Sequence, residues 1–256
     1  MTGTETSGSG DIARTLDLLW HGGPRPSRGP KPGLTLDRIV EAAIRVADGE
    51  GLAAVTMRRV ATELGTGTMS LYRYLPGKAE LLDLMLDRVQ RPSGTAQEDI
   101  GWRAALEHLA HATLALLREH PWLLHVNQSR PVLGPSAIEG MEVVLTQIRP
   151  MGLTDAELVS AVVMIDGYVF GAARTQLHSE QAERATGLTD AEFWEAQLPV
   201  LEEALATGRY PVMAGLAEDA FGPDFDHFGF GLERILDGLE VLVARRAQAG
   251  RERRVR

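Results

Sequence analysis

Residues Val55–Lys78 read VTMRRVATELGTGTMSLYRYLPGK, two short helical patterns separated by small residues. Thr56 is an N-cap type followed by a helix in which Val60 and Leu64 lie one turn apart and face inward, while Arg58 and Thr62 point elsewhere. Gly65 ends that helix, and the small side chains from Thr66 to Thr68 allow a sharp bend into a second helix of about two turns, with Leu71 and Leu75 inward. Ala61 is small enough for the two helices to cross closely. Left outward on the second helix are Thr68, Met69, Ser70, Tyr72, Arg73 and Tyr74, a mixture of hydroxyls, aromatic rings and a guanidinium. Such a surface suits phosphates and base edges, so the stretch reads as a DNA-binding helix-turn-helix.

The Ala61, Gly65 and Leu-Tyr-x-Tyr-Leu-x-x-Lys pattern from Leu71 to Lys78, followed by Leu81 and Leu82, resembles the tetracycline-repressor (TetR) family over about residues 34–90. One departure is Arg73-Tyr74, where the family often carries His. The resemblance implies an all-α protein: an N-terminal three-helix DNA-binding domain, a C-terminal helical domain for ligand binding and dimerisation, and no catalysis. It also implies three partners: a double-stranded DNA operator, a small-molecule effector and a second copy of the chain. Arg58, Thr68 and Met69 match base-facing positions, and Lys78, Tyr72 and Ser70 are expected on phosphates.

A chain of 256 residues with 44% hydrophobic content can bury a sizeable core. It contains no cysteine, so disulfides and thiolate metal sites are excluded, in keeping with a reducing, cytoplasmic setting. No signal peptide and no apolar run long enough to cross a bilayer are read, so no membrane is expected. The net charge of -9 sits mostly in residues 91–256, with fifteen basic against twenty-four acidic side chains. DNA senses the local field, and residues 34–90 are nearly neutral, with seven basic and eight acidic groups. Arg58, Arg59, Arg73 and Lys78 are expected to supply the positive side of that domain.

Residues 1–33 read as a disordered, basic extension in which residues 1–10 are Gly, Ser and Thr rich. Asp11–Trp20 within it could form a short helix with Ile12, Leu16, Leu19 and Trp20 on one side, and Arg25, Arg28 and Lys31 lie in a Pro/Gly-rich linker suited to a DNA backbone or minor groove. Residues 34–90 form the DNA-binding domain. Its first helix runs from near Leu34 to Asp48, with Leu36, Ile39, Val40, Ala43, Ile44 and Ala47 at a period near 3.6, and its last, Lys78–Val89, is the expected lever to the C-terminal domain.

Residues 91–247 read as the ligand and dimer domain, without strand patterns, and 248–256 as a frayed basic tail. Trp102–His120 is amphipathic through Ala105, Leu109, Ala112, Leu116 and Leu117, and Ala137–Ile148 is a second helix. Asp155 to about Gln176 is apolar nearly all round and must be buried on several sides. Its Gly167 and Gly171 allow a close approach by a partner helix. Phe228, Leu232, Ile235, Leu239 and Leu242 on the last helix, Asp226–Arg246, have the spacing of a helix-pairing seam, which could also be internal packing. The resemblance assigns both helices to a dimer interface.

The same resemblance places a ligand cavity among Trp122, His125, Met141, Met164, Asp166, Tyr168 and Arg174, of which Asp166 interrupts an otherwise apolar helix and needs a partner. Apolar walls with few polar handles favour a lipophilic or flat aromatic effector. Two other classes are weighed. A helical small-molecule-binding or dimerisation module would ignore DNA. A metal-dependent enzyme would use His108 and His111, three apart, but no third ligand, phosphate loop or nucleophile elbow accompanies them. No metal and no cofactor is therefore expected.

Overall fold

The computed structural model describes residues 4–22, 34–91, 100–217, 220 and 225–255. Arg25, Arg28 and Lys31 of the linker, the break after Arg91 and the side chains of Arg251–Arg256 lie outside them. The described residues form α1 (Ile12–His21), α2 (Leu36–Glu50), α3 (Met57–Glu63), α4 (Thr68–Leu71), α5 (Lys78–Val89), α6 (Trp102–Glu119), α7 (Pro135–Ile148), α8 (Asp155–Thr186), three short helices α9 (Asp190–Glu195), α10 (Leu198–Ala206) and α11 (Pro211–Ala214), and α12 (His227–Val255). The last helix carries its backbone through the segment read as a frayed tail.

Three expectations fail at the N-terminus. Residues 4–10 are ordered: Glu5–Thr6 forms β1, which pairs in parallel with β2 (Val126–Asn127), a strand pair that the sequence does not signal. Also, α1 buries Thr15 and Leu18 rather than the side carrying Ile12 and Trp20, which are exposed. The cause of the first and the last lies in α5, against which α1 packs. Glu80 and Asp83 on α5 are 6% and 3% exposed, and a buried carboxylate must find donors. The Asp11 N–H donates to Glu80 Oε1 (3.0 Å); the Ser7 hydroxyl (2.8 Å) and Gly8 N–H (3.0 Å) donate to Asp83 Oδ1. Gly8 takes φ +69°, a left-handed conformation that a side chain would strain.

Inside the DNA-binding domain Ile39, Val40, Ala43 and Ala47 of α2, Val60 and Ala61 of α3, and Leu71 and Leu75 form one buried cluster with Leu81, Leu82 and Met85 of α5. The Thr56 hydroxyl caps α3 by accepting from the Arg59 N–H, and Gly65 (φ +64°) makes the turn. The regular part of α4 is a single turn rather than two; Tyr72–Tyr74 continue as turn, and Leu75 reaches the core from there.

A third carboxylate on α5 faces the C-terminal domain. Asp87 Oδ1 accepts from the N–H groups of Ser136 (3.0 Å) and Ala137 (3.2 Å), capping the N-terminus of α7 from another element. Gly134 permits this approach, since a Cβ there would lie 2.2 Å from Asp87 Oδ1. On the other side of α5, Arg88 pairs with Asp37 and Glu41 of α2.

The C-terminal domain is built on α6 and α8, with α7 and α12 against them. In α6 the buried line is Ala105, Leu106, Ala110, Leu114 and Leu117; Ala112 is exposed. Contrary to the expectation of no membrane-length run, α8 is long and apolar enough to span one, with mean hydropathy 1.5 over 18 residues. Leu158, Ala161, Val162, Ile165, Val169 and Ala173 are nevertheless buried within the protein, so one face of α8 is core.

Because Asp87 supplies the acceptor for two N–H groups of α7, Asp87→Ala should lower stability by about 1–3 kcal/mol. Urea unfolding at fixed protein concentration measures this; an unchanged midpoint would contradict the capping role.

Candidate DNA-reading surface and ligand cleft

Packing divides the second half of the helix-turn-helix. With Leu71 and Leu75 inward, Met69 is left 76% exposed, Tyr72 and Arg73 are exposed, and Thr68 and Ser70 are half-buried beside them. Arg58 on α3 is exposed as well, and neither Arg58 nor Arg73 makes an ion pair among the described residues. This leaves two guanidiniums, a thioether and hydroxyls open for contact with a duplex.

Three residues expected on that surface are engaged elsewhere. The Tyr74 hydroxyl donates to the Leu34 carbonyl (2.8 Å), tying the turn after α4 to the start of α2. Arg59 is held by Glu50 (2.6 Å) and Glu63 (3.1 Å), so its charge is compensated locally. Hydrogen bonding to Arg59 holds the Glu50 carboxyl below its ordinary range. Lys78, at the first position of α5, pairs through Nζ with Glu5 Oε1 at 2.7 Å.

The seven ligand candidates do not meet in one cavity. His125 and Arg174, both exposed, line a cleft of about 660 Å³ with Thr4, Asn127, Gln128 and Phe170. Trp122 is buried and donates its indole N–H to Asp48 Oδ1 (2.8 Å), and His120 Nδ1 lies 2.7 Å from the same oxygen, so this pair binds α2 to the C-terminal domain. The Tyr168 hydroxyl donates to the Phe228 carbonyl (2.8 Å) while its ring stacks on Phe228, joining α8 to α12. Met141 and Met164 are exposed on α7 and α8. A second cleft of about 290 Å³ lies between α6 and α8, lined by Leu117, Arg118, Leu124, Gln176 and Glu180 among others. His108 and His111 are exposed, and His111 rests edge-on against Phe228.

The expected seam on α12 is partly spent inside the protomer. Leu232 and Leu239 are buried, while Phe228, Ile235 and Leu242 are half-buried against the same core. Heptad-like spacing marks an apolar stripe without saying which helix covers it. What α12 leaves open is Phe230 and Val241; α8 leaves Val163, Met164, Gly167 and Gly171, and a Cβ on either glycine would meet nothing within 4 Å.

The sequence reading missed the N-terminal segment and the Asp48 junction. The usable signal was Glu80, Asp83 and Asp87, spaced three and four apart in an apolar helix, a stripe of carboxylates of which the buried two, Glu80 and Asp83, must find donors. Burial raises the Asp83 pKa, and the Ser7 and Gly8 donors offset part of that rise.

Burial alone raises Asp166 to about 6, and no hydrogen-bond or ion-pair partner is found for it among the described residues. A carboxyl with a folded-state pKa above its unfolded value binds protons more tightly when folded, so stability should fall as pH rises from about 4 to about 6. Asp166→Asn should flatten that part of the profile and leave the protein more stable at pH 7. Unfolding midpoints at pH 4.5, 5.5 and 7, compared between the two proteins, check this; parallel profiles would contradict it.

Comparison with known proteins agrees with this geometry. Residues 39–85 match the family described as bacterial regulatory proteins, tetR family, and residues 95–243 match the tetracyclin repressor-like C-terminal domain. The HTH-type transcriptional repressor DrrR1 of Streptomyces coeruleorubidus is 76% identical over 245 residues, covering 95% of this chain and 91% of that protein. An HTH-type transcriptional regulator of Saccharopolyspora erythraea is 28% identical over 86% of this chain and 90% of its own. Among solved structures, ActR of Streptomyces coelicolor in complex with actinorhodin superposes with TM-score 0.67 at 30% identity, covering 82% of this chain and 96% of that one. Its apo form gives 0.63 at 30% identity, covering 84% and 99%. With both halves matched by the family's two domains, the chain belongs to the tetracycline-repressor (TetR) family.

Proposed function

We propose that the protein is a ligand-responsive transcriptional repressor that binds a near-palindromic operator as a homodimer and is released by a small lipophilic or aromatic effector. The observation that carries this is the open reader surface of Arg58, Met69, Tyr72 and Arg73 on a helix-turn-helix joined by α5 to a helical domain. The kinship with a named repressor and the likeness to ActR bound to actinorhodin support it. A carrier without DNA binding would have no use for that surface. Action on an operator places the protein in the cytoplasm.

Arg58, Thr68 and Met69 are the base-facing set: a guanidinium can grip a guanine edge with two hydrogen bonds, and methyl groups of Met or Thr can meet thymine. Ser70, Tyr72, Arg73 and Lys78 are the phosphate set. Residues 34–90 are the DNA unit and 91–247 the ligand and dimer unit, with the N-terminal segment packed on α5. The dimer forms on α8 and α12, where Val163, Met164, Phe230 and Val241 are apolar and exposed and Gly167 and Gly171 admit a second helix closely. Phe228, Ile235 and Leu242 flank that face.

The effector occupies the cleft of His125 and Arg174, with the Phe170 ring as an apolar wall and Arg174 as the handle for an acidic or phenolic group. Selecting bound fragments from genomic DNA, with and without candidate aromatic molecules, tests the function as a whole; failure to enrich any sequence would reject it. On a selected operator Arg58→Ala should cost about 1–3 kcal/mol and relax preference at one base position per half-site. Binding to single-base variants measures this, and an unchanged ranking of the variants would remove Arg58 from the base-facing set.

A further inference from the structure

Residues Thr4–Asp11 lie as a strap across the junction of the two domains. Thr4 lines the cleft with His125 and Arg174. Glu5–Thr6 pairs with Val126–Asn127, and the Ser7 N–H extends that ladder to the Asn127 carbonyl (3.1 Å). The next residues, Ser7 and Gly8, are the donors to buried Asp83. Held this way, Glu5 is brought to Lys78, 2.7 Å away.

The anchors differ in kind. Asp83 is buried and its hydrogen bonds are shielded, whereas Lys78 and Glu5 keep 30% and 38% of their side chains exposed, so another anion can reach the ammonium group. Lys78 stands at the N-terminus of α5, two residues after the recognition segment ends in Leu75-Pro76, where a DNA phosphate would be met. The ammonium has three donors, but a phosphate that met it beside Glu5 would stand against a carboxylate, and the repulsion between the two anions sets them in competition for Lys78.

We propose that the N-terminal strap is an autoinhibitory element: docked on Val126–Asn127, it holds Glu5 on Lys78 in place of a DNA phosphate, and its release strengthens operator binding. This rests on the reading of Lys78 as a phosphate contact. Tethering gives Glu5 a high effective concentration at Lys78, so the competition persists in a solution of free anions. Since Thr4 forms part of the cleft wall, an occupant that touches both the strap and Arg174 favours the docked state and thereby DNA release, the direction expected of a ligand-released repressor.

The full-length protein tests this on an operator duplex that the wild type has selected from genomic DNA. Glu5→Gln keeps the strand but removes the competing charge; operator affinity at 0.1 M salt should rise by up to about eightfold per protomer, with the salt slope steeper by about 0.9. That gain should vanish when Lys78→Ala is added. The converse variant uses the absence of native cysteine: Thr6→Cys with Asn127→Cys joins two exposed residues in register, and oxidation should weaken operator binding until a reductant restores it. No gain with Glu5→Gln, a gain that survives Lys78→Ala, or an oxidised protein that binds as tightly as its reduced form overturns the strap. In those cases the phosphate reading stands as long as Lys78→Ala weakens binding in the Glu5→Gln background; if it has no effect there, both readings fail.

Discussion

Three carboxylates on one stripe of α5 hold this molecule together as a unit. Glu80 and Asp83 are turned into the protein and satisfied by the backbone and hydroxyl donors of the N-terminal segment, and Asp87 is satisfied by the first turn of α7. Glu80 and Asp83 are buried and permit few geometries, since each donor lost leaves a desolvated carboxyl, while Asp87 is half-buried. The apolar side of the same helix, Leu81, Leu82 and Met85, belongs to the core on which the helix-turn-helix rests. A helix fixed on one side to the DNA reader and on the other to the ligand domain cannot shift against either without exchanging hydrogen bonds, which is the physical requirement for a lever.

The charge distribution follows the same division of labour. An acidic chain binds an acidic polymer only where cations are left free, and the structure withholds several of them. Arg59 is occupied by Glu50 and Glu63, and Arg88 by Asp37 and Glu41, which leaves Arg58 and Arg73 open. Sequence-independent attraction is then modest, and discrimination between sites falls to the few side chains that reach base edges. A second junction, Asp48 to His120 and Trp122, ties the end of α2 to the segment that leads into β2 and the cleft. The cleft region is therefore joined to the helix-turn-helix by two sets of contacts, one through α2 and one through α5.

Much of the fold was legible because it rests on local rules. Thr56 and Gly65 bound α3 by capping and by a left-handed turn, and the inward residues of α2 and α3 follow the helical period. What escaped were contacts between residues far apart in sequence. Ser7 meets Asp83, Tyr74 meets the Leu34 carbonyl, and Trp122 meets Asp48; no periodicity encodes such a pairing. The Gly/Ser/Thr composition of residues 1–10 argues for disorder, yet four hydrogen bonds to α5 carboxylates and a strand pair are enough to order residues 4–11. Residue type along a helix does not separate Arg174, which faces a cleft, from Tyr168, which bridges two helices.

A lever of this kind would carry ligand occupancy from α7, through the Asp87 hydrogen bonds, to the DNA reader. The direct measurement is operator affinity with and without a saturating effector, identified by its release of operator, in the wild type and in Asp87→Ala at equal protein concentration. A ratio of about 5 to 150 is predicted in the wild type and a markedly smaller one in the variant, with operator changing effector affinity by the same factor in each protein. A variant that folds and binds operator, yet keeps the full wild-type ratio, would contradict it.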